Sequence, residues 1–280
     1  SATLRRSGFR QILAKDTFVH HFGGVTLNEV RTTHGNYKTI IEMRPVFQHK
    51  WGIDPWTSRG HLVFLDQILK DFSTGETPPR VLFIEPMFGE GLLTVRNHFR
   101  RLQTPVIIDA IVTREQYMME AAYMADSVIR LTSLDHLPDR VNGTYDMVIL
   151  GAFLNVVPIS DIISFFKETY GLLNAKGVLY VSLLNYNSFE HVMENLPNDV
   201  PHLIYDSILP LNGERVFPVP RLVHALKKEF SNKSVWVGYG VQSHYFGDIS
   251  LFEQTTNEIL GASDDLHYLL SGDMVALCIR

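Results

Sequence analysis

The stretch Arg80-Val81-Leu82-Phe83-Ile84-Glu85-Pro86-Met87-Phe88-Gly89-Glu90-Gly91 decides the fold. Val81 to Ile84 form an unbroken apolar run, the pattern of a strand buried on both faces. Glu85 and Pro86 stop that strand. Gly89 and Gly91 permit a turn that a Cβ would hinder. Leu92, Leu93, Phe99 and Leu102 then carry an apolar helical pattern. Strand, glycine turn and helix form the opening unit of a nucleotide-binding α/β sheet. In such a unit bare backbone lets a ligand come close, and the helix N-terminus offers free N–H groups.

The chain alternates from there. Strands are predicted over 105–112, 127–131, 145–150 and 178–183, with helices over 114–124 and 159–173 and a turn at Asn174-Ala175-Lys176-Gly177. A helix over 220–230, a strand over 234–239 and a last strand over 274–280 follow, with 242–272 as extra, partly helical material. Strands separated by helices imply a parallel sheet with right-handed crossovers. Before the opening strand, Leu62, Leu65, Leu69 and Phe72 stand three and four apart, which predicts an amphipathic helix over 58–72.

The 280 residues are 45% apolar and 20% charged, with a net charge of −5. That composition suits a globular protein with a sizeable core. The mild acidity gives no reason to expect nucleic acid or an anionic membrane surface as the main partner. Cys278 is the single cysteine, so the sequence holds neither an intrachain disulfide nor a cysteine metal cluster. No apolar run approaches the roughly 20 residues that span a bilayer. No secretory signal is read at the start, and a cytoplasmic location is expected. Ser1 in place of a methionine reads as a processed chain or a piece of a longer one.

The first segment reads as an extension, 1–57, ahead of a domain over 58–280. Its run Gly8-Phe9-Arg10, then Ala14-Lys15-Asp16-Thr17-Phe18-Val19-His20-His21-Phe22-Gly23-Gly24, then Asn36-Tyr37 and Phe47-Gln48-His49-Lys50-Trp51-Gly52, resembles the C-terminal tail of a family-two glycosyltransferase. In that family a histidine at this place often helps hold the metal that grips the nucleotide-sugar diphosphate, which points to His20 or His21. The family's acidic metal motif has no counterpart in this sequence, so no metal site is expected. The resemblance implies a partner, a covalently linked glycosyltransferase domain upstream, and a setting in glycan biosynthesis.

The longer segment carries a second resemblance. Tyr145-Asp146-Met147-Val148-Ile149-Leu150-Gly151-Ala152-Phe153-Leu154-Asn155-Val156-Val157-Pro158, then Leu172-Leu173-Asn174-Ala175-Lys176-Gly177-Val178-Leu179-Tyr180-Val181-Ser182, is similar to class I S-adenosylmethionine-dependent methyltransferases. Ala125-Asp126 through His136-Leu137-Pro138 matches that family's third strand and loop. The fold this implies is a Rossmann-like α/β sheet of seven strands whose last strand runs antiparallel. The implied cofactor is S-adenosylmethionine. Its implied contacts are Glu85, Pro86, Gly89 and Gly91 in the first turn, Ser133 and Leu134 in the adenine loop, and Gly151, Ala152 and Phe153 beside the sulfonium.

Two positions depart from the family pattern. Met87 stands where the first glycine belongs, and Ile111 stands where an acid accepts the ribose hydroxyls. Asp109 shares a face with Ile111 but lies about 7 Å further back by strand rise. Losing that acceptor removes a charged hydrogen bond, about 1.5–3 kcal/mol of affinity. Methyl transfer from an activated sulfonium rests mostly on in-line positioning, with a general base needed for a hydroxyl acceptor. Tyr186, Glu190 and His191 are the candidate bases, and His191 has the pKa best suited to neutral pH. Their plainer reading is solvent-facing residues after the fifth strand. Two functions follow: O-methylation of a sugar or glycan, or a catalytically silent methyltransferase-like module attached to a glycosyltransferase.

Overall fold

The computed structural model describes residues 38–52, 62, 64–70, 72, 77–134, 136–151, 162–184, 210–211, 214–215, 219–241 and 271–280. The chain divides into two compact units, Ser1–Arg59 and Gly60–Arg280.

In the first unit, α1 (Lys38–Trp51) is a helix that the sequence reading passed over. Pro45 inside it removes one backbone donor. Phe47 and Trp51, one turn apart, pack with ring centres 6.3 Å apart and planes tilted by 52°, and Lys50 lies 5.0 Å from the Trp51 ring centre. Gly52, at φ +68°, closes the helix through an N–H to the Gln48 carbonyl at 2.8 Å. Met43 and Val46 are both 54% exposed.

The second unit opens with α2 (Leu65–Lys70), much shorter than the predicted helix. Phe64 has φ 62°, a left-handed conformation that starts the helix afresh and leaves Leu62 outside it. Leu65, Ile68 and Leu69 are its buried stripe. Then come β1 (Arg80–Ile84), α3 (Glu90–Arg101), β2 (Ile107–Val112), a 3₁₀ turn at Glu115–Tyr117, α4 (Met118–Met124) and β3 (Ser127–Arg130). They are followed by β4 (Tyr145–Leu150), α5 (Ile162–Gly171), β5 (Leu173–Leu184), the two-residue pair β6 (Pro210–Leu211) and β7 (Glu214–Arg215), α6 (Val219–Glu229), β8 (Val235–Val241) and β9 (Ser271–Ile279).

Seven of these strands make one sheet in the order β3-β2-β1-β4-β5-β9-β8. β1 to β5 pair in parallel. β9 runs antiparallel to both β5 and β8. The predicted seven-stranded sheet with an antiparallel last strand is therefore present. Val81, Leu82, Phe83 and Ile84 are all buried, as an unbroken apolar run in a central parallel strand requires. On α3, Leu92, Val95 and Phe99 face the sheet, while Leu93 and Leu102, counted in the apolar pattern, are half exposed.

The predicted turn at Asn174 to Gly177 is a bulge within β5 instead. Tyr145 pairs with Leu173, yet Met147 pairs with Val178, so the extra residues loop out between adjacent rungs. A Cβ on Gly177 would sit 2.9 Å from the Leu173 Cβ and 3.0 Å from the Asn174 carbonyl oxygen, so the bulge closes only around glycine. Among the described residues no helix is long and apolar enough to cross a membrane.

Candidate functional site

The sheet order reverses between β1 and β4, and open α/β sheets bind ligands outside the carboxyl ends at that switch point. Ile84 ends β1 level with Ile111 of β2 and Leu150 of β4. The chain leaves β1 through Glu85 to Gly89, leaves β4 through Gly151, and leaves β2 through Thr113 and Arg114.

The turn after β1 is tightly wound. Glu85, Met87 and Gly89 have φ of 51°, 49° and 79°, so three alternate residues are left-handed. For the two that are not glycine this costs about 1–2 kcal/mol each. The Gly89 N–H donates to the Pro86 carbonyl at 2.8 Å, and Gly89 is the N-cap of α3, with no side chain capping the helix. Met87, where the resemblance would place a glycine, takes a left-handed φ that glycine adopts without strain. Met87 adopts it with its side chain buried.

Glu85 is fully buried, and its carboxylate is engaged by β2's exit. One oxygen accepts from the Thr113 N–H at 2.7 Å and the Thr113 hydroxyl at 2.9 Å. The other accepts from Arg114 Nε at 2.8 Å. The Arg114 guanidinium also lies 4.7 Å from the centre of the Tyr117 ring, which packs edge-on to Phe88 at 5.7 Å. Arg114 Nη2 is buried and has no hydrogen-bond partner.

Side chains cover the turn. A Cβ on Gly89 would lie 2.2 Å from Met124 Cε. A Cβ on Gly91 would lie 2.2 Å from Leu62 Cδ1 and 2.5 Å from Phe83 Cζ. Gly91 therefore serves close packing of helix on sheet, with Leu62 over it. Leu62 also reaches Gly151, whose Cβ position lies 3.8 Å from Leu62 Cδ2 and 3.9 Å from the Glu85 carbonyl oxygen. Leu62 thus bridges the exits of β1 and β4.

The other sequence candidates fall in several places. Pro86 is buried within the turn. Ser133 is exposed and Leu134 buried in the loop after β3. Asp109 belongs to the amino-terminal half of the sheet, level with Leu82. There its Oδ2 accepts from Arg80 Nη2 at 2.9 Å and from the Tyr145 hydroxyl at 2.9 Å. Burial and that bond to the Asp109 carboxylate push the Tyr145 phenol well above its usual range. These ties hold Asp109 away from the strand ends where a ribose would lie. Ile111 is fully buried, without an acceptor to offer. Ala152, Phe153, Tyr186, Glu190, His191, His20 and His21 lie outside the described residues.

Sequence reasoning missed Leu62, Met124, Thr113 and Arg114. The last two had a signal: a cation and a hydroxyl directly after β2, where an acid was sought and not found. Among the described residues no group of His, Cys, Asp or Glu is placed to hold a metal ion. A donor such as S-adenosylmethionine finds a partner for a polar group in the orphaned Arg114 Nη2. It finds a wall at Gly151, whose Cβ position meets only ordinary contacts. The covering atoms, Leu62 Cδ1 and Met124 Cε, are the ends of flexible side chains, so the residues present fit the group once those ends turn aside.

No family model and no curated protein matches the chain. Among solved structures, a SAM-dependent methyltransferase from Archaeoglobus fulgidus superposes with a TM-score of 0.51 at 11% identity, over 84% of this chain and 97% of that one. The plantazolicin methyltransferase BamL, solved with a triazolic desmethylPZN analogue and SAH, gives 0.49 at 14% identity, over 90% and 93%. An S-adenosylmethionine-dependent methyltransferase from Mesorhizobium loti gives 0.47 at 13% identity, over 76% and 96%. With the strand order and the antiparallel β9, the first of these likenesses establishes the fold: the chain carries the seven-stranded α/β sheet of the class I methyltransferases.

Proposed function

We propose that the second unit is an S-adenosylmethionine-dependent methyltransferase. The observation that carries this is the strained turn Glu85 to Gly89 at the switch point of the sheet. Two non-glycine residues held left-handed within five positions, one of them with a buried and hydrogen-bonded carboxylate, mark a turn shaped for more than connection. The donor supplies an activated methyl on a sulfonium, so the chain's task is to bind, align and exclude water. Glu85 fixes the exit of β2 by holding Thr113 and Arg114. Gly151 brings no side chain of its own to the exit of β4. The ends of Leu62 and Met124 lie over the turn and turn aside for the donor to enter.

On the acceptor side the reading is O-methylation of a sugar or glycan hydroxyl, supported by the glycosyltransferase-like tail alone. A hydroxyl of that kind needs a base, and Tyr186, Glu190 and His191 begin two residues past the end of β5. In the donor site the contacts proposed remain Glu85, Pro86, Gly89, Gly91, Ser133, Leu134, Gly151, Ala152 and Phe153. Calorimetric titration with S-adenosylmethionine and S-adenosylhomocysteine tests the reading: binding in the micromolar range is expected, and silence at millimolar ligand overturns it.

A second reading has its own observation. Ile111 offers no ribose acceptor, and Leu62 lies over both glycines, which suits a silent module attached to a glycosyltransferase. Silence in the same titration is the outcome that reading expects.

A further inference from the structure

The turn that carries Leu62 over the crevice is held from the edge of the sheet. The Leu65 N–H donates to the Leu62 carbonyl at 3.3 Å, so these two residues close a turn. Phe64, the last residue inside it, has φ 62°, a conformation that glycine adopts freely and a bulky side chain rarely does. Such strain persists only where neighbouring contacts impose it. Two sets of contacts do so. On the helix side, the Phe64 carbonyl accepts the Gln67 and Ile68 N–H groups at 3.1 and 2.9 Å, and the buried Leu65, Ile68 and Leu69 fix α2 in place. On the ring side, Phe64 meets Trp236 of β8 edge-on, with ring centres 5.6 Å apart. Gly238 makes room for both rings: a Cβ there would stand 2.2 Å from Trp236 Cη2 and 3.0 Å from Phe64 Cδ2.

The two ends of this arrangement face different parts of the sheet. β8 is an edge strand, and β5 and β9 separate it from β4. Leu62, at the front of the turn, reaches the switch point, with Cδ1 over Gly91 and Cδ2 beside Gly151. Trp236 is 39% exposed and Phe64 half-buried, so their rings can part at the surface without a rearrangement of the core. Ring packing favours the closed turn, and the backbone strain at Phe64 opposes it. We propose that Phe64 is a latch: its ring, seated on Trp236, keeps the turn in the strained form that holds Leu62 over the crevice. Entry of the donor goes with release of that ring and return of Phe64 to negative φ. Phe64 is then a positioning residue that acts through Leu62 and sets donor affinity from outside the donor site. The inference rests on the methyltransferase reading above and concerns the donor's entry, not its contacts. A closed form that the donor must displace lowers the apparent affinity in proportion to the fraction of chains that are open.

Calorimetric titration with S-adenosylhomocysteine tests the latch. Phe64→Ala removes the ring and leaves the closed turn strained, so binding about 2- to 10-fold tighter than in the unaltered chain is expected. Phe64→Gly removes ring and strain together, so it should bind less tightly than Phe64→Ala. Leu62→Ala removes the cover itself, so adding Phe64→Ala to it should raise affinity no further. Two gains that simply add mean that Phe64 does not act through Leu62, and that result overturns the proposal. So does unchanged or weaker binding in Phe64→Ala. Should Phe64→Ala not fold, Trp236→Leu loosens the contact from its other side: the same gain is expected, and unchanged binding refutes the latch. If neither the unaltered chain nor Leu62→Ala binds S-adenosylhomocysteine at millimolar ligand, the methyltransferase reading falls and takes the latch with it. If the ligand binds and the Phe64 variants leave its affinity unmoved, only the latch falls.

Discussion

Gly91→Ala separates packing from ligand approach at the most suggestive glycine of the turn. The added Cβ would stand 2.2 Å from Leu62 Cδ1, 2.5 Å from Phe83 Cζ and 2.6 Å from Phe83 Cε2. Leu62 can swing away. Phe83 cannot, since it is 2% exposed in the central strand β1. Overpacking a tight core contact costs about 1–3 kcal/mol. Replacing glycine by alanine in a helix returns up to about 1 kcal/mol, and less in the first turn. The net expectation is a loss of about 1–2 kcal/mol. Urea denaturation followed by circular dichroism reads it as a lower midpoint with an unchanged m-value. Adding Phe83→Leu should recover most of the loss, a coupling of about 0.5–3 kcal/mol, whereas adding Leu62→Ala should recover little. A neutral or stabilised Gly91→Ala would refute the claim that α3 is pressed onto β1 at this point.

Further outcomes follow from the same geometry. Leu62→Ala uncovers the exits of β1 and β4, so S-adenosylhomocysteine should bind several-fold more tightly by calorimetry; weaker binding would make Leu62 a donor contact instead of a cover. Tyr145→Phe removes a hydroxyl bond to the buried Asp109 carboxylate and should cost about 1–2 kcal/mol in urea. The same phenol has its pKa raised in the fold, so its contribution is whole below the unfolded value of about 10 and is lost as pH rises beyond that. The alkaline fall in stability should therefore be shallower in Tyr145→Phe than in the unaltered chain. His98, buried with Nε2 unpartnered, has its pKa lowered first by burial and then by Arg101. The unfolded chain then binds the proton more readily, so stability should fall as pH drops below about 6.5, and His98→Gln should flatten that fall.

Much of the architecture was legible because burial on both faces leaves a mark. Val81 to Ile84 and Met147 to Leu150 are unbroken apolar runs, and both are central parallel strands. The bulge in β5 was not legible: Asn174-Ala175-Lys176-Gly177 has turn chemistry whether the chain reverses or merely loops out between rungs. The short α2 was hidden by Phe64, whose left-handed φ no side-chain pattern announces. In the turn after β1, Glu85 and the glycines were singled out by motif, but the side chains that touch them were not. Leu62 and Met124 reach the turn from elements far off in the chain, and only the register that sets Ile84 beside Ile111 brings Arg114 to Glu85. Asp109 shows the converse: it has the right chemistry and the right face, but it sits level with Leu82, short of the strand ends, where Arg80 and Tyr145 already hold it.

A crystal structure of the chain soaked with S-adenosylhomocysteine tests the central claim most directly. The account predicts density for the nucleoside and the amino-acid end outside the carboxyl ends of β1 and β4, lying along Gly151, with the Leu62 side chain turned away from Gly91. Density at any other place, or a crevice still filled by Leu62 and Met124 at saturating ligand, would contradict it.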